Sequence, residues 1–189
     1  RPPRSTLFPY TTLFRSYASS TGFAIADNSV WPIFPCVLLM VAGIQCGMAG
    51  STTGGLKSDR VLLLAKSIRR HVRTSISPTS VVGIKMGKKF MKDEEVYPHV
   101  FYVAMFFLIA VISFLVLLLF CENDSNAISG TVATICNIGP AMGDIGSMGN
   151  YNLEPTPAKI IYTFNMFLGR LEFYPVMAIF LMIFHPKSK

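Results

Sequence analysis

The sequence predicts an all-α membrane protein built from repeated units of helix, short loop and helix, and three observations predict it. Of the 189 residues, 51% are hydrophobic and only 14% charged, with a mean hydropathy of +0.48, unusual for a soluble domain of this length. The run from Val100 to Cys121 carries no charge across 22 positions. As a helix it measures about 33 Å, enough to cross a hydrocarbon core of about 30 Å. Basic residues are one-sided: ten of the 17 Lys and Arg lie between Lys57 and Lys92, whereas Asp93 to Pro157 holds none and carries seven acids. This positive-inside pattern accounts for the formal charge of +7 without nucleic acid. Cys36, Cys46, Cys121 and Cys136 lack the close paired spacing of a zinc site and read as small apolar fillers.

Taken in order, Arg1 to Ser16 resembles the translation of a sequencing adapter, shows no helical periodicity, and is set aside from fold reasoning. Without it the formal charge falls to +4, since Arg1, Arg4 and Arg15 go. The polar stretch Tyr17 to Asn28 reads as a loop, leading to Trp31 and Pro32 at a membrane interface and then a helix from about Trp31 to Ala49. Glycines and hydroxyls at Gly50 to Gly55 break that helix, and helical spacing resumes over Leu56 to Arg73 with a basic, cytoplasmic end. Ser75 to Lys92 reads as a short cytoplasmic hairpin around Gly87. A spanning helix from about Tyr97 to Cys121 runs outward, and Ala127 to Cys136 is too short to span, which suits a re-entrant helix stopping at Asn137 to Pro140. The last span covers about Ala158 to Phe184, with a basic tail inside. The resulting divisions are 1–16, 17–74, 75–96 and 97–189.

Two copies of one unit are visible, each a short polar loop with a central glycine, Gly22 or Gly139, followed by an apolar helix. Irregular backbone at membrane depth is tolerated where it lines a watery path, and glycine permits the angles that turn carbonyls inward. An ordinary turn is the other reading of such a glycine.

The order STGFA, a following D and WP, then AGSTTGGLKSDR, NIGPAMG and LGRLE resembles the closing portion of the Trk/Ktr potassium-uptake family, over essentially Tyr17 to the C-terminus. The resemblance implies a fragment: an incomplete third and a complete fourth helix, pore loop, helix repeat of a four-repeat cation pore. It implies that carbonyls of Ser20, Thr21, Gly22 and Phe23, and of Asn137, Ile138 and Gly139, are potassium ligands of a selectivity filter. Potassium is then the substrate and the only metal, and no cofactor is expected in this chain. The resemblance further implies a gate made of Gly50, Ser51, Thr52, Thr53, Gly54, Gly55, Lys57 and Arg170. Ile138 and Pro140 depart from a potassium-channel filter, so sodium or mixed transport stays open. The expected partners are a second copy, a cytoplasmic nucleotide-binding regulatory subunit of the TrkA/KtrA type, and lipid, in a multi-pass protein of the bacterial inner membrane.

Alternatives attach to the residues themselves. GSTTGGLKS carries an extra Leu56 before Lys57 and follows a membrane helix, so a nucleotide-binding loop is rejected. Gly43 and Gly47, like Gly50 and Gly54, have the spacing of close helix packing. Arg170, within the last apolar span, is either a pore charge or a structural partner of Glu172. The basic segment faces either a regulatory protein or anionic lipid. His71, His99 and His185 form no constellation, and no nucleophile with its base is evident, so an enzyme is not expected. A non-transporting scaffold is the remaining rival.

Overall fold

The computed structural model describes residues 9–24, 27–29, 31–48, 50–51, 53–77, 83–87, 89–171 and 173–184. The helices are α1 (Pro9–Ala18), α2 (Ile33–Ile44), α3 (Ser58–Ile76), α4 (Asp93–Leu118), α5 (Asp124–Ile135), α6 (Thr156–Leu171) and α7 (Phe173–Phe184). Two strand pairs join them: β1 (Gln45–Cys46) runs parallel to β2 (Leu56–Lys57), and β3 (Ile84–Met86) antiparallel to β4 (Lys89–Met91).

The polarity is that of a membrane protein, apolar outside and polar within. Phe107, Leu108, Val111, Ile112 and Leu115 of α4, and Phe34, Val37, Leu38 and Val41 of α2, are exposed. Helix α5, by contrast, is buried along its length with Asn126, Ser129, Thr131 and Thr134 inside. Burial is tolerable because these hydroxyls bond back into their own helix: Thr131 Oγ1 donates to Ala127 O at 2.7 Å and Thr134 Oγ1 to Gly130 O at 2.6 Å. Helices α4 and α6 flank α5. Gly130 permits the close approach to α6, since a Cβ there would lie 2.7 Å from the Tyr162 hydroxyl. Among the described residues α4 alone is long and apolar enough to cross a membrane unaided.

Several boundaries differ from the sequence reading. Pro9–Ser16, inside the segment set aside, is helical, and Leu13 is fully buried with Tyr17 in the main core. The buried face recurs at Leu13, Ser16 and Tyr17, a one-face helical spacing too short to stand out among threonines and prolines. Tyr17 and Ala18 thus belong to α1 rather than to a loop, and the boundary at 17 falls within a helix. Helix α2 ends at Ile44, not Ala49, because β1 turns away to pair with β2. Helix α3 passes the boundary at 74 to Ile76. Helix α4 starts four residues before 97, at Asp93, where Asp93, Glu94 and Glu95 complement the N-terminal dipole. The expected hairpin is present as β3 and β4, with residues 78–82 and 88 outside the described residues. The final span is described as α6 and α7 on either side of position 172.

Candidate functional site

Helices α1 and α5 end identically. Ser20 N–H donates to Tyr17 O (3.1 Å) and Thr21 N–H to Ser16 O (2.9 Å); Asn137 N–H donates to Thr134 O (3.1 Å) and Ile138 N–H to Ala133 O (2.9 Å). This is the Schellman ending, which needs a left-handed residue just past the helix. Ser20 (φ 50°) and Asn137 (φ 53°) supply it, although neither is glycine. Two residues further on, Gly22 (φ 72°) and Gly139 (φ 101°) are left-handed again.

That alternation has a chemical consequence. In an extended chain successive carbonyls point to opposite sides; left-handed residues at every second position permit neighbouring carbonyls to face one way. Each loop also lies at the C-terminal end of its helix, where the macrodipole is negative, about half an elementary charge, and favours a cation. The two loops abut: a side chain at Gly22 would run into the Ile138 carbonyl. Of the sequence-predicted carbonyl donors, Ser20, Thr21, Gly22, Asn137, Ile138 and Gly139 lie together here, and Phe23 follows with its ring 74% exposed.

Polar side chains, most of them part-buried, fasten the loops. Tyr151 Oη donates to Gly139 O at 2.8 Å, and burial pushes that hydroxyl above its ordinary pKa range, so it stays a donor. Tyr17 Oη donates to Pro140 O at 3.1 Å, and Asn137 Nδ2 to Met166 O of α6 at 3.1 Å. Asn28, 3% exposed, bridges to Ala141 and Ser147. Composition and spacing gave no signal for Tyr17, Asn28, Ser147 or Tyr151, because their partners lie 11 to 124 residues away in the chain and no local pattern marks them.

The expected gate is a closed loop. Gly47 O accepts from Ser58 N–H (3.1 Å) and Ser58 Oγ (3.4 Å) at its neck, beside the β1–β2 pair. Inside it, Thr53 Oγ1 accepts from Gly47 N–H (3.2 Å) and shares a 2.6 Å bond with Ser51 Oγ. Gly50 (φ 87°) and Gly55 (φ 73°) turn the chain, and Lys57 sits half-buried in β2. Gly54 lies against the end of α5, where a Cβ would come within 2.5 Å of Cys136 O. Gly169 meets the neighbouring Ile135 carbonyl just as closely, which puts the following Arg170, exposed in the last turn of α6, at the same end of the fourth loop. Thr52 and Glu172 lie outside the described residues. One further cation, Arg60 of α3, stacks on the Tyr102 ring at 3.5 Å. No cluster of three or more His, Cys, Asp or Glu side chains placed to hold a metal ion occurs among the described residues.

A family profile described as a cation transport protein, TrkH, matches residues 10–189. The "Trk system potassium uptake protein TrkH" of Escherichia coli K12 is 32% identical over 165 residues, covering 87% of this chain and 34% of that protein. The protein of the same description from Halomonas elongata is 37% identical over 170 residues, with the same coverage of 87% and 34%. This chain thus spans about a third of the length of these curated relatives. The crystal structure of the potassium transporter TrkH from Vibrio parahaemolyticus superposes with a TM-score of 0.78 at 25% identity, over 93% of this chain and 43% of that one.

Proposed function

We propose, from the premise that this chain belongs to the TrkH family of cation transport proteins, that its two pore loops form half the selectivity filter of a potassium-translocating membrane protein. The observation that carries this reading is the pair of matched loops: the same helix ending, the same left-handed positions two residues apart, and two helix C-termini directed at one place. Backbone carbonyls of Ser20 to Phe23 and Asn137 to Gly139 replace the water of a monovalent cation, and no bond is made or broken. The closed loop at 47–55 acts as the gate, propped at Gly54 against the end of α5, and Arg170 adds a positive charge that opposes resting cation occupancy. The intact protein sits in the bacterial inner membrane as a multi-pass dimer, with a cytoplasmic nucleotide-binding regulatory subunit on its basic face.

The test is potassium-limited growth of an uptake-deficient bacterium carrying the full-length gene. Rescue by the parent, lost when Gly22→Val or Gly139→Val is introduced at unchanged membrane abundance, is expected. Rescue that survives both changes rejects the filter, and rescue on sodium as readily as potassium converts it to a mixed cation path. Arg170→Ala, in the same assay, alters flux without loss of folded protein.

A further inference from the structure

We propose that Asn28 is a positioning residue for cation selection: its side-chain amide fastens the third pore loop to the fourth and so fixes the spacing between their facing carbonyls. This rests on the filter reading above.

The amide has no hydrogen-bonding capacity left over. Asn28 Nδ2 donates to Ala141 O at 2.8 Å and to Tyr17 Oη at 3.2 Å, while Oδ1 accepts from Ser147 N–H at 2.9 Å and Ser147 Oγ at 3.1 Å. Ser147 Oγ in turn accepts from the Asn28 backbone N–H at 3.0 Å. The orientation of the amide is unambiguous: Ala141 O can only accept and Ser147 N–H can only donate. Gly146 admits the contact, since a Cβ there would lie 2.6 Å from Asn28 Oδ1.

The connection joins parts of the chain 119 and 113 residues apart. It lands two residues past Gly139, on the carbonyl that Tyr17 Oη also approaches at 3.3 Å, and the Tyr17 carbonyl accepts the Ser20 N–H bond that ends α1. A displacement at Asn28 therefore reaches both rows of carbonyls. Asn28 is 3% exposed and its bonds to Ala141 O and Tyr17 Oη are buried, so water does not readily replace a partner lost there. No other side chain of this size offers two donors and two acceptors in one plane; aspartate keeps the shape and the bonds to Ser147 but loses both donors, and sets a negative oxygen against Ala141 O.

A merely structural role lowers the amount of folded protein and scales every flux together. A positioning role changes the ratio of fluxes. The experiment measures uptake of potassium and of sodium by the full-length protein in an uptake-deficient cell, normalised to membrane abundance, for Asn28→Asp, Asn28→Leu and Ser147→Ala. Asn28→Asp is expected to lower the potassium-to-sodium ratio by about tenfold, and Ser147→Ala, which keeps the backbone donor, by about threefold. Ser147→Thr, retaining the hydroxyl, restores most of the ratio. A ratio unchanged in every variant that reaches the membrane overturns the proposal; if the Asn28 variants do not accumulate, Ser147→Ala decides alone. The filter reading fails separately, through Gly22 and Gly139. If their bulky variants abolish uptake and the ratio ignores Asn28 and Ser147, the filter stands and the clamp falls.

Discussion

The third and fourth pore loops share a backbone and differ in what supports it. Loop four is braced inside its own repeat: Tyr151 reaches Gly139 O, Asn137 reaches Met166 O, and α5 lies buried between α4 and α6. Loop three is braced by its neighbour, through Tyr17 to Pro140 O and Asn28 to Ala141 and Ser147. Its own residues Thr21 and Phe23 are exposed. Local bracing needs only short-range order, whereas bracing across repeats makes the shape of one loop depend on the other. Substitutions in loop three should therefore disturb both loops, and substitutions in loop four should be better contained.

The largest effect is expected from Gly22→Ala. The residue is left-handed, and a Cβ there meets a backbone carbonyl, Ile138 O, which has no flexible end to move aside. Left-handed strain alone costs about 1–2 kcal/mol, and the collision adds to it, so potassium uptake by the full-length protein should fall at least ~30-fold. Gly139→Ala is strained as well, at φ 101°, but has open space around the new methyl. Its loss should stay near ~10-fold. Equal losses at the two glycines would remove the contrast between the loops.

Tyr151→Phe is next in size. It deletes one part-buried bond to the Gly139 carbonyl and keeps the ring edge-on against Tyr162. The net worth of such a bond is about 1 kcal/mol, so a shift of about fivefold in the potassium-to-sodium uptake ratio is expected, with membrane abundance unchanged. A fall in abundance with a constant ratio would show that Tyr151 supports the fold and not the carbonyl.

The sequence displayed more of the membrane architecture than of the site. The apolar run of α4 and the short, mostly buried α5 follow from length and composition, which burial in lipid enforces directly. The two central glycines were visible because left-handed backbone favours glycine. Their partners Ser20 and Asn137 carry the same geometry without that signature, so only hydrogen bonds disclose that both helices end alike. Helix α1 was missed because the segment before Tyr17 resembles an adapter translation, and its buried face is one turn and a half long. The early end of α2 was missed because its continuation, Gln45–Cys46, is apolar enough to remain helical; the parallel pairing with Leu56–Lys57, a tertiary bond, takes precedence over local preference.

The smallest effects should lie in the loop beneath, and they separate the part that touches loop four from the part that does not. Gly54 presses on the Cys136 carbonyl one residue before Asn137, so Gly54→Ala must move either the closed loop or the end of α5. A change of about threefold in potassium flux is expected, about 0.7 kcal/mol at the barrier. Gly50 is exposed, has nothing near its Cβ position and turns the chain at φ 87°, a region asparagine visits readily. Gly50→Asn should leave flux within about twofold of the parent, because asparagine tolerates left-handed backbone better than other side chains and meets no neighbour. If Gly50→Asn instead proved as damaging as Gly54→Ala, the tip of the loop would have a contact in the full-length protein. The closed loop would then be supported at its tip as well as at its neck and at Gly54.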